Sequence, residues 1–551
     1  MDDTHYDWVI VGSGFGGSVS AHRLAEKGYR VLVLEKGRRY EAKDFPKTNW
    51  DLKRWMWNPA LGLKGIFQMT FLKHMTVLHG VGVGGGSLVY ANTLPTPKRA
   101  FFEQGSWSGL ADWESELAPH YAEAKRMLGA APNPVVTRGD KIIRDIAKDI
   151  GREAHMHPTD VAVYFGKAGE TAPDPYFDGK GPERTGCTHC GACMTGCRVG
   201  AKNTLDKNYL YFAEQNGAEV RAETEVTAVR PRGDGGSAAG GYVVETRPTF
   251  GKGQGRVTAD RVIFAGGVMG TLPLLLRMQE DPEGLPKLSA RLGDFVRSNS
   301  EALIAIIAPK KGTNFSKGVA ITSILHTDEH SHLEPVRYGP GSGFFRLLMA
   351  PHAPGATVLG RVWGGLRAFA RHPLRWLRAF AVPDMAQHSQ VLLYMRTLEG
   401  SLRMRLGRGW RSGYRRTLVT EVDDPSLAPS AFMEEATDLA ERFAEKTDGV
   451  AATLTTETLL GVPSTAHILG GACMGATAAD GVIDAQHRVH GYPGLYVIDG
   501  SAISANPGVN PSLTIATLAE RAMSLVAAKH LERAPSAERE TAATPRARAA
   551  V

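Results

Sequence analysis

A histidine and an asparagine near the C-terminus are the side chains best suited to chemistry. His467 lies in the run Thr-Ala-His-Ile-Leu-Gly-Gly, and Asn510 lies in a Gly-Val-Asn-Pro run 43 residues later. Oxidation of a secondary alcohol removes a hydroxyl proton and a hydride. A histidine with a pKa near neutral suits the proton step, and an asparagine amide can orient the hydroxyl. We therefore predict that His467 and Asn510 act on an alcohol, with a bound cofactor as the hydride acceptor. The alternatives are a packed histidine in a glycine loop and a structural Asn-Pro turn.

An N-terminal strand, glycine loop, helix and second strand are expected to position that cofactor. Trp8–Val11 and Val31–Leu34 are short apolar runs typical of buried strands, and Ser18–Lys27 has helical spacing. The loop between them has the G-x-G-x-x-G pattern, and an acidic residue follows the second strand. Such loops hold a pyrophosphate at the helix N-terminus, and the carboxylate binds ribose hydroxyls. The predicted dinucleotide contacts are Gly12, Ser13, Gly14, Phe15, Gly16, Gly17 and Glu35.

A second glycine run, His79–Ser87, is the other candidate wall of the cofactor site. Its neighbours Val77, Leu78, Leu88 and Val89 are apolar, which argues against a flexible surface loop. Bare backbone along a second wall fits a flavin better than NAD alone. The predicted contacts here are Gly84, Gly85, Ser87 and Asn92.

These motifs, in this order, resemble the glucose–methanol–choline oxidoreductase family of flavoenzymes, and most of all its cholesterol oxidase branch. The likeness covers the N-terminal fingerprint, the GVGGGSLV run, residues 200–207 and the block from 465 to 522. The resemblance implies FAD as the cofactor, with His467 as the catalytic histidine. It implies that Asn510 is the asparagine that replaces a second histidine in the sterol branch. Further flavin contacts implied by the resemblance are Val226, Asp499, Gly500, Asn510 and Pro511.

Four of the five cysteines fall within eleven residues, in the pattern C-x2-C-x2-C-x3-C. This is the spacing of bacterial ferredoxins, and it favours an iron–sulfur cluster. Zinc sites usually split their ligands into two distant pairs, so zinc is the second alternative, and redox-active or inert thiols are the third. A cluster beside a flavin would pass electrons to an acceptor protein in place of oxygen. The predicted metal ligands are Cys187, Cys190, Cys193 and Cys197.

The order of elements predicts an α/β protein, with a Rossmann-type FAD-binding domain and a second, sheet-containing substrate-binding domain. We assign residues 1–48, 76–100, 200–300 and 465–530 to the FAD-binding domain. The substrate-binding domain is expected to comprise 49–75, 101–199 and 301–464, with the cysteine loop at 187–197. Residues 531–551, rich in Ala, Arg, Glu, Pro and Thr, are predicted to be a disordered tail.

Charge and hydropathy limit the partners. The net charge of +7 is a mild excess for 551 residues, which fits a basic patch better than a nucleic-acid-binding surface, so we predict no nucleic-acid partner. No run reaches the roughly 18 apolar residues of a membrane helix, and MDDTHYD is no secretory signal, so we expect a cytoplasmic protein. Residues 361–380 interleave arginines with aromatic residues. They predict either contact with a membrane surface or an ordinary solvated arginine face.

Together these observations predict an FAD-dependent oxidoreductase for a secondary alcohol, with the 3β-hydroxyl of a sterol such as cholesterol as the expected substrate. Isomerisation to the conjugated enone would need a carboxylate, for which Glu399 is a candidate by its position only. The first alternative is a dehydrogenase for a non-sterol alcohol that passes electrons through an iron–sulfur cluster. Alternatives of other classes are a non-catalytic flavin and iron–sulfur electron carrier and a membrane-surface protein with a vestigial flavin.

Overall fold

The computed structural model describes residues 4–233, 240–355, 357–398, 400–408, 416–424 and 428–532. Glu399 and residues 533–551 of the predicted tail lie outside the described residues. Two seven-stranded sheets dominate the fold. The fold class predicted from the sequence, α/β with a Rossmann-type domain and a second sheet-containing domain, is confirmed.

The first sheet, called the nucleotide sheet here, is mainly parallel. His5–Val11 lies between Val31–Leu34 and Gly255–Phe264 and runs parallel to both. Trp8–Ile10 and Val31–Leu34 are buried on both faces, which is why their sequences are continuous apolar runs. In order, the strands are Glu219–Arg221, Val31–Leu34, His5–Val11, Gly255–Phe264, Tyr242–Pro248 and Thr224–Pro231, with Leu495–Val497 also beside Gly255–Phe264.

The second sheet, called the substrate sheet here, is entirely antiparallel. Side chains alternate between its two faces. One face packs on the helices Arg138–Asp149 and Glu434–Thr447. The other face, called the cavity face, looks towards the nucleotide sheet. In order, the strands are Met349–Pro351, Val450–Leu454, Ala302–Ile307, Ser389–Arg396, Ser331–Val336, Ser323–His326 and Met156–Pro158.

Three helices cover the nucleotide sheet. Phe15–Glu26 opens directly from the glycine loop and packs on Ser512–Ser524, which packs in turn on Trp113–Met127. Residues 101–128 therefore belong to the core of the nucleotide sheet, although the sequence placed them in the other domain. The strands of both sheets lie inside the ranges assigned to them, and the exact domain boundaries stay a prediction. The other helices of eight or more residues are Val268–Glu280, Val358–Arg371 and Pro373–Phe380.

Smaller elements complete the path between the sheets. Phe67–Phe71, Thr76–Gly80 and Ser464–Thr465 form a three-stranded sheet. Its middle strand leads into the second glycine run, and its last strand leads into the His467 loop. This small sheet therefore brings the second glycine run and the predicted catalytic histidine to the same place. Among the described residues, the helices are too short or too polar to cross a membrane.

Candidate active site

One cavity of about 500 Å³ runs from the N-terminal glycine loop to the cavity face of the substrate sheet. A volume of this size is typical of cofactor and small-ligand sites. It brings together both predicted catalytic residues and most of the predicted cofactor contacts. The predicted residues that line it are Gly12, Ser13, Gly14, Phe15, Gly16, Glu35, Gly85, Val226, His467, Asp499, Gly500, Asn510 and Pro511.

The glycine loops allow the backbone to pack where no side chain would fit. A Cβ on Gly16 would lie 1.7 Å from the Ile498 carbonyl oxygen, and a Cβ on Gly85 would lie 2.6 Å from the Gly14 Cα. The helix that begins at Phe15 has Gly14 as its N-cap, which offers no side-chain cap, and its first turn holds no acidic residue. Its first backbone N–H groups and its positive dipole end are therefore free to bind phosphate.

Glu35 lies at the nucleotide end of the cavity, at the end of its strand. Its carboxylate accepts hydrogen bonds from the Ser13 N–H (3.1 Å), the Ser13 hydroxyl (2.8 Å) and the Gly37 N–H (2.8 Å). These bonds fix the carboxylate against the loop. A carboxylate has about four lone-pair sites, so acceptor capacity remains for ribose hydroxyls.

Four predicted cofactor contacts do not line the cavity: Gly17, Gly84, Ser87 and Asn92. Two of them support the loops instead. A Cβ on Gly17 would lie 2.1 Å from the Gly12 carbonyl oxygen, so Gly17 allows the helix to pack on the loop. The Ser87 hydroxyl donates to the Gly84 carbonyl at 2.7 Å and accepts from the Leu205 N–H at 3.1 Å. As direct cofactor contacts all four stay predictions.

His467 is held by a carboxylate that the sequence did not single out. Its Nδ1 lies 2.6 Å from Glu301 Oε2, and Glu301 is 3% exposed. Glu301 Oε1 also accepts from the Thr465 hydroxyl and from the Ala466 N–H. A proton on Nδ1 is needed for this contact, which leaves Nε2 of a neutral ring as the acceptor. Glu301 follows no recognisable motif, and only the fold brings it to the histidine.

Two buried glutamates near His467 have different roles. Burial would lower the pKa of His467, but the charge and hydrogen bond of Glu301 outweigh it and raise that pKa above its ordinary value. Glu457 lies in the same region, and burial, assisted by the charge of Glu301, raises its pKa to about 8. Glu457 is therefore mainly protonated at neutral pH, whereas Glu301 pairs with His467.

Asn510 lies at the N-terminus of the helix Ser512–Ser524, and its Oδ1 has no hydrogen-bond partner among the described residues. Pro511, Ser512 and Ile515 of the same segment also line the cavity. A buried amide oxygen without a partner is costly, so it is available to a ligand. The positive end of the helix dipole favours negative charge at this wall.

Asp499 joins two loops that form a further wall of the cavity. Its carboxylate accepts from the Gly267 N–H at 2.8 Å, the Thr271 hydroxyl at 2.6 Å and the Ser501 N–H at 2.8 Å. It thereby joins the loop after Gly255–Phe264 to the loop after Leu495–Val497. Both loops follow parallel strands at their carboxyl ends, where open α/β sheets bind ligands.

The half of the cavity that faces the substrate sheet is apolar. Because side chains alternate, one face of the central strands of the substrate sheet supplies most of its wall. Two aromatic residues, Tyr338 and Phe345, and Met194 of the cysteine loop close it. The residues that line this half include Leu303, Ala305, Val336, Val391, Leu393, Tyr338, Phe345 and Met194.

The chemistry of this site fits FAD. The uncapped helix N-terminus and the glycine backbone suit the pyrophosphate, Glu35 suits the ribose, and Val226 lines the same cavity. The second helix N-terminus suits the negative charge of a ring that receives a hydride, and the unpartnered Asn510 Oδ1 can accept a hydrogen bond from a ligand. Gly266, Gly267 and Met269 are further lining residues that the sequence did not predict, because they follow a strand without a recognisable fingerprint.

The four clustered cysteines surround a separate, small cavity of about 20 Å³. Burial raises the pKa of Cys187 to about 11 and that of Cys193 to about 12, which disfavours reactive thiols at these two positions. Within the part of the chain that the structure describes, no group of three or more His, Cys, Asp or Glu side chains is placed to hold a metal ion. The iron–sulfur cluster and the zinc ion predicted from the sequence therefore both stay predictions.

The chain matches protein-family models and is similar to curated proteins. Two GMC oxidoreductase models match residues 181–279 and 415–519, and an NAD(P)-binding Rossmann-like domain model matches residues 10–40. The chain is 43% identical over 537 residues to a cholesterol oxidase of Acinetobacter baumannii, covering 96% of each. It is 44% identical to a cholesterol oxidase of Mycobacterium tuberculosis, covering 94% of this chain and 91% of that protein. A 2-methyl-1,2-propanediol dehydrogenase of Mycolicibacterium austroafricanum is 24% identical, with 94% of each covered.

Solved structures show the same fold at low identity. Pyridoxine 4-oxidase from Mesorbium loti superposes with a TM-score of 0.60 at 14% identity, covering 94% of this chain and 98% of that one. A formate oxidase gives a TM-score of 0.60 at 15% identity, covering 97% and 100%. The resemblance inferred from the motifs is thus confirmed, and FAD is supported as the cofactor. The chain belongs to the GMC oxidoreductase family and is an FAD-dependent alcohol oxidoreductase.

Proposed function

We propose that this enzyme oxidises the hydroxyl of a bulky apolar alcohol, with the 3β-hydroxyl of cholesterol or a related sterol as its substrate. The observation that carries the proposal is the apolar wall of the cavity, which lies opposite the cofactor loops and adjoins His467 and Asn510. A rigid hydrocarbon gains free energy by leaving water for such a wall, at roughly 25 cal/mol per Å². The curated relatives that are 43% and 44% identical are cholesterol oxidases, which supports the same substrate class.

His467 and Asn510 would divide the work at the hydroxyl. His467 Nε2 accepts the hydroxyl proton while the Glu301 contact holds the ring in the required tautomer. The Asn510 amide orients the hydroxyl oxygen. Bound FAD supplies the acceptor for the carbinol hydride. As the ring of His467 becomes positive, Glu301 stabilises it, so the carboxylate acts through the histidine and needs no contact with the substrate.

The Glu301→Gln variant tests this arrangement through its pH dependence. The reaction needs neutral His467, so the rate should fall as the pH drops through the raised pKa of this histidine. Without the carboxylate, burial lowers that pKa, and the acidic limb should move to lower pH. The plateau kcat/KM should fall by about 10- to 100-fold because ring orientation is lost. Flavin reduction, followed by stopped-flow absorbance across pH, measures both effects.

Glu457→Gln is the matched control. Its carboxyl has a pKa of about 8 and is already mainly neutral below that pH, so the amide should leave the acidic limb nearly unchanged. An equal shift of the limb in both variants would contradict the assigned role of Glu301.

Anaerobic addition of cholesterol to the purified holoenzyme tests the substrate. We expect sterol to bleach the flavin absorbance, and admission of oxygen to restore it with release of peroxide if oxygen is the acceptor. Cyclohexanol and a 3α-hydroxysteroid are matched controls that share the functional group without the full shape or stereochemistry. Bleaching by small alcohols but not by sterols would favour the non-sterol dehydrogenase. Isomerisation stays a prediction, and the enone absorbance of the product would test it.

A pair of helices beside the cavity presents apolar side chains to solvent. We call Val358–Arg371 and Pro373–Phe380 the exposed hairpin. It packs on the strand Met349–Pro351, whose Met349 lines the cavity. Trp376 turns inward and Arg361 is buried against backbone carbonyls. The exposed apolar residues are Val358, Leu359, Trp363, Leu366, Phe369, Leu374 and Leu377.

We propose that the exposed hairpin contacts the surface of an anionic membrane, from which a sterol can enter the cavity. Leu359 and Trp363 are 76% and 71% exposed, and Arg367, Arg371 and Arg378 are exposed beside them. Apolar side chains with flanking arginines are typical of interfacial helices. An ordinary solvated arginine face would turn its aromatic residues inward, as Trp376 and Phe380 do here, whereas Trp363 and Phe369 are exposed. The cytoplasmic location predicted from the sequence remains a prediction.

The double variant Leu359→Ser, Trp363→Ser tests membrane contact. Vesicles of phosphatidylcholine with phosphatidylglycerol should sediment the wild-type protein, and the variant should bind about 100-fold more weakly, since each apolar side chain contributes ~1.5–3 kcal/mol on burial. Val136→Ser is the control, because Val136 is also an exposed apolar residue, at 52%, and lies elsewhere. Equal binding of wild type and double variant would contradict the proposal.

The cysteine pocket adds a proposal on the electron route. We propose that Cys187, Cys190, Cys193 and Cys197 hold an iron–sulfur cluster. The thiols line one pocket, and the adjacent Met194 lines the flavin cavity, so the two sites share a wall. The observation that supports the cluster is the C-x2-C-x2-C-x3-C spacing, which is that of bacterial ferredoxins.

Iron and acid-labile sulfide analysis of anaerobically purified protein tests the cluster. About four, or three, iron atoms and matching sulfide per chain are expected, with loss of both in Cys193→Ser. Cys473→Ser is the control, since Cys473 is buried and far from the motif in sequence. Flavin without iron, together with rapid peroxide formation in air, would remove the cluster and the acceptor protein from the proposal.

A further inference from the structure

A line of polar side chains leads from the catalytic end of the cavity to the protein surface. Glu334 and His332 lie on the strand Ser331–Val336, His326 lies on the adjacent strand, and His157 lies on the strand at the sheet edge. All four occupy the cavity face. Val336, two residues after Glu334, lines the cavity, and the register pairs His326 directly with His332.

Glu334 is at the inner end of this line. It is 0% exposed, and neither carboxylate oxygen has a hydrogen-bond partner among the described residues. Its strand partner Leu393 lines the cavity. After the larger effects of burial and of Glu301, the charge of Glu334 also contributes to the raised pKa of His467. The carboxylate is therefore electrostatically coupled to the catalytic histidine.

His332 continues the line. It is 1% exposed, its Nε2 lies 3.5 Å from Glu334 Oε1, and neither ring nitrogen makes an aligned hydrogen bond within the described protein. Burying a carboxylate and an imidazole without partners costs free energy that a leucine pair would not. Nothing in the packing of the sheet requires polar residues here, so their presence calls for a function.

His326 and His157 carry the line to solvent. The rings of His332 and His326 are 5.9 Å apart between centroids, a separation that one bridging water spans, and the buried Nδ1 of His326 has no partner within the described protein. His326 Nε2 lies 3.3 Å from His157 Nε2. His157 is exposed, so its ring exchanges protons with bulk water.

We propose that Glu334, His332, His326 and His157 form a proton path between the active site and solvent. The inference rests on the proposed sterol oxidation. In that reaction the carbinol C–H and hydroxyl O–H bonds break as the carbonyl forms. The hydride goes to bound FAD, and the hydroxyl proton goes to His467. A sterol that fills the cavity excludes water. The path then moves the proton to the surface and returns one when reoxidation consumes it.

Burial and the charges around the path keep the ring of His326 neutral. Burial, followed by the charges of His332, Lys98 and His157, lowers the pKa of His326 to about 3. A neutral ring has both a donor and an acceptor nitrogen and can pass a proton without retaining it. The other titratable or charged groups near the path are His155, Arg152, Asp328, His330 and Glu301.

Proton release measured against flavin reduction tests the path. Anaerobic holoenzyme and cholesterol are mixed in weak buffer with a pH-indicator dye, and both absorbances are followed in one stopped-flow trace. In the wild type the two should proceed together. In His332→Gln, which keeps a polar side chain but cannot relay a proton, release should lag reduction by about tenfold or more. His157→Gln, at the exposed end, should show a smaller lag.

His352→Gln is the matched control. His352 is also a poorly exposed histidine, and burial lowers its pKa to about 4. Its ring, however, bonds Thr437 of the helix Glu434–Thr447, which packs on the face of the substrate sheet opposite the cavity face. Release that keeps pace with reduction in His332→Gln would overturn the path. Absence of bleaching by cholesterol in the wild type would overturn the proposed function instead.

A second readout needs no substrate. In protein labelled with ¹⁵N-histidine, the ring resonances of His157, His326 and His332 should respond to one another. His157→Gln should then shift His326 and His332, whereas His352→Gln should shift neither. Ring resonances that stay unchanged in His157→Gln would contradict the path, whatever the alcohol substrate.

Discussion

The contact between Glu301 and His467 is the interaction on which the arrangement of the site depends. Glu301 immediately precedes the first long strand of the substrate sheet, and His467 follows the small sheet that leads to the nucleotide sheet. Their 2.6 Å contact forms only when the two sheets are docked. Glu301 also accepts hydrogen bonds from the Thr465 hydroxyl and the Ala466 N–H, so its carboxylate holds the loop that carries His467. Docking, ring orientation and proton affinity are therefore set by the same carboxylate.

The apolar surroundings of the cavity strengthen the electrostatic effect of the Glu301 carboxylate on His467. Charges interact strongly where water is excluded, and the walls of the substrate half are almost wholly hydrocarbon. In such surroundings Glu457 retains its proton, and each polar atom without a partner is costly. Among the buried polar atoms without a partner in the described protein, those of Asn510, Glu334 and His332 lie at or beside the cavity. Their positions match the groups that a reacting hydroxyl and a departing proton require.

Local patterns predicted the nucleotide-binding half of the fold well. The strands at Trp8 and Val31 and the helix after the glycine loop occur close to the predicted residues, since short apolar runs and glycine turns act over a few residues. Local patterns do not mark the break between the strands Glu219–Arg221 and Thr224–Pro231, where Glu223 adopts a positive φ of 52°. The exposed hairpin was recognised as basic and aromatic. Packing against the helix Thr455–Leu460 decides which residues of the hairpin are buried. Arg361 is buried there, whereas Trp363 faces solvent.

By itself the sequence determined the family and the cofactor class, and it predicted the pair His467 and Asn510, because each belongs to a short motif whose residue types imply their chemistry. Only the tertiary structure decided which carboxylate serves the histidine and which polar residues connect the site to solvent. Glu301 is 166 residues from His467, and Glu334, His326 and His157 lie on three strands that are adjacent only in the folded sheet. No local pattern marks such residues, since a buried glutamate and a surface glutamate are identical in the sequence. Their function arises from contact and burial, which are properties of the folded chain.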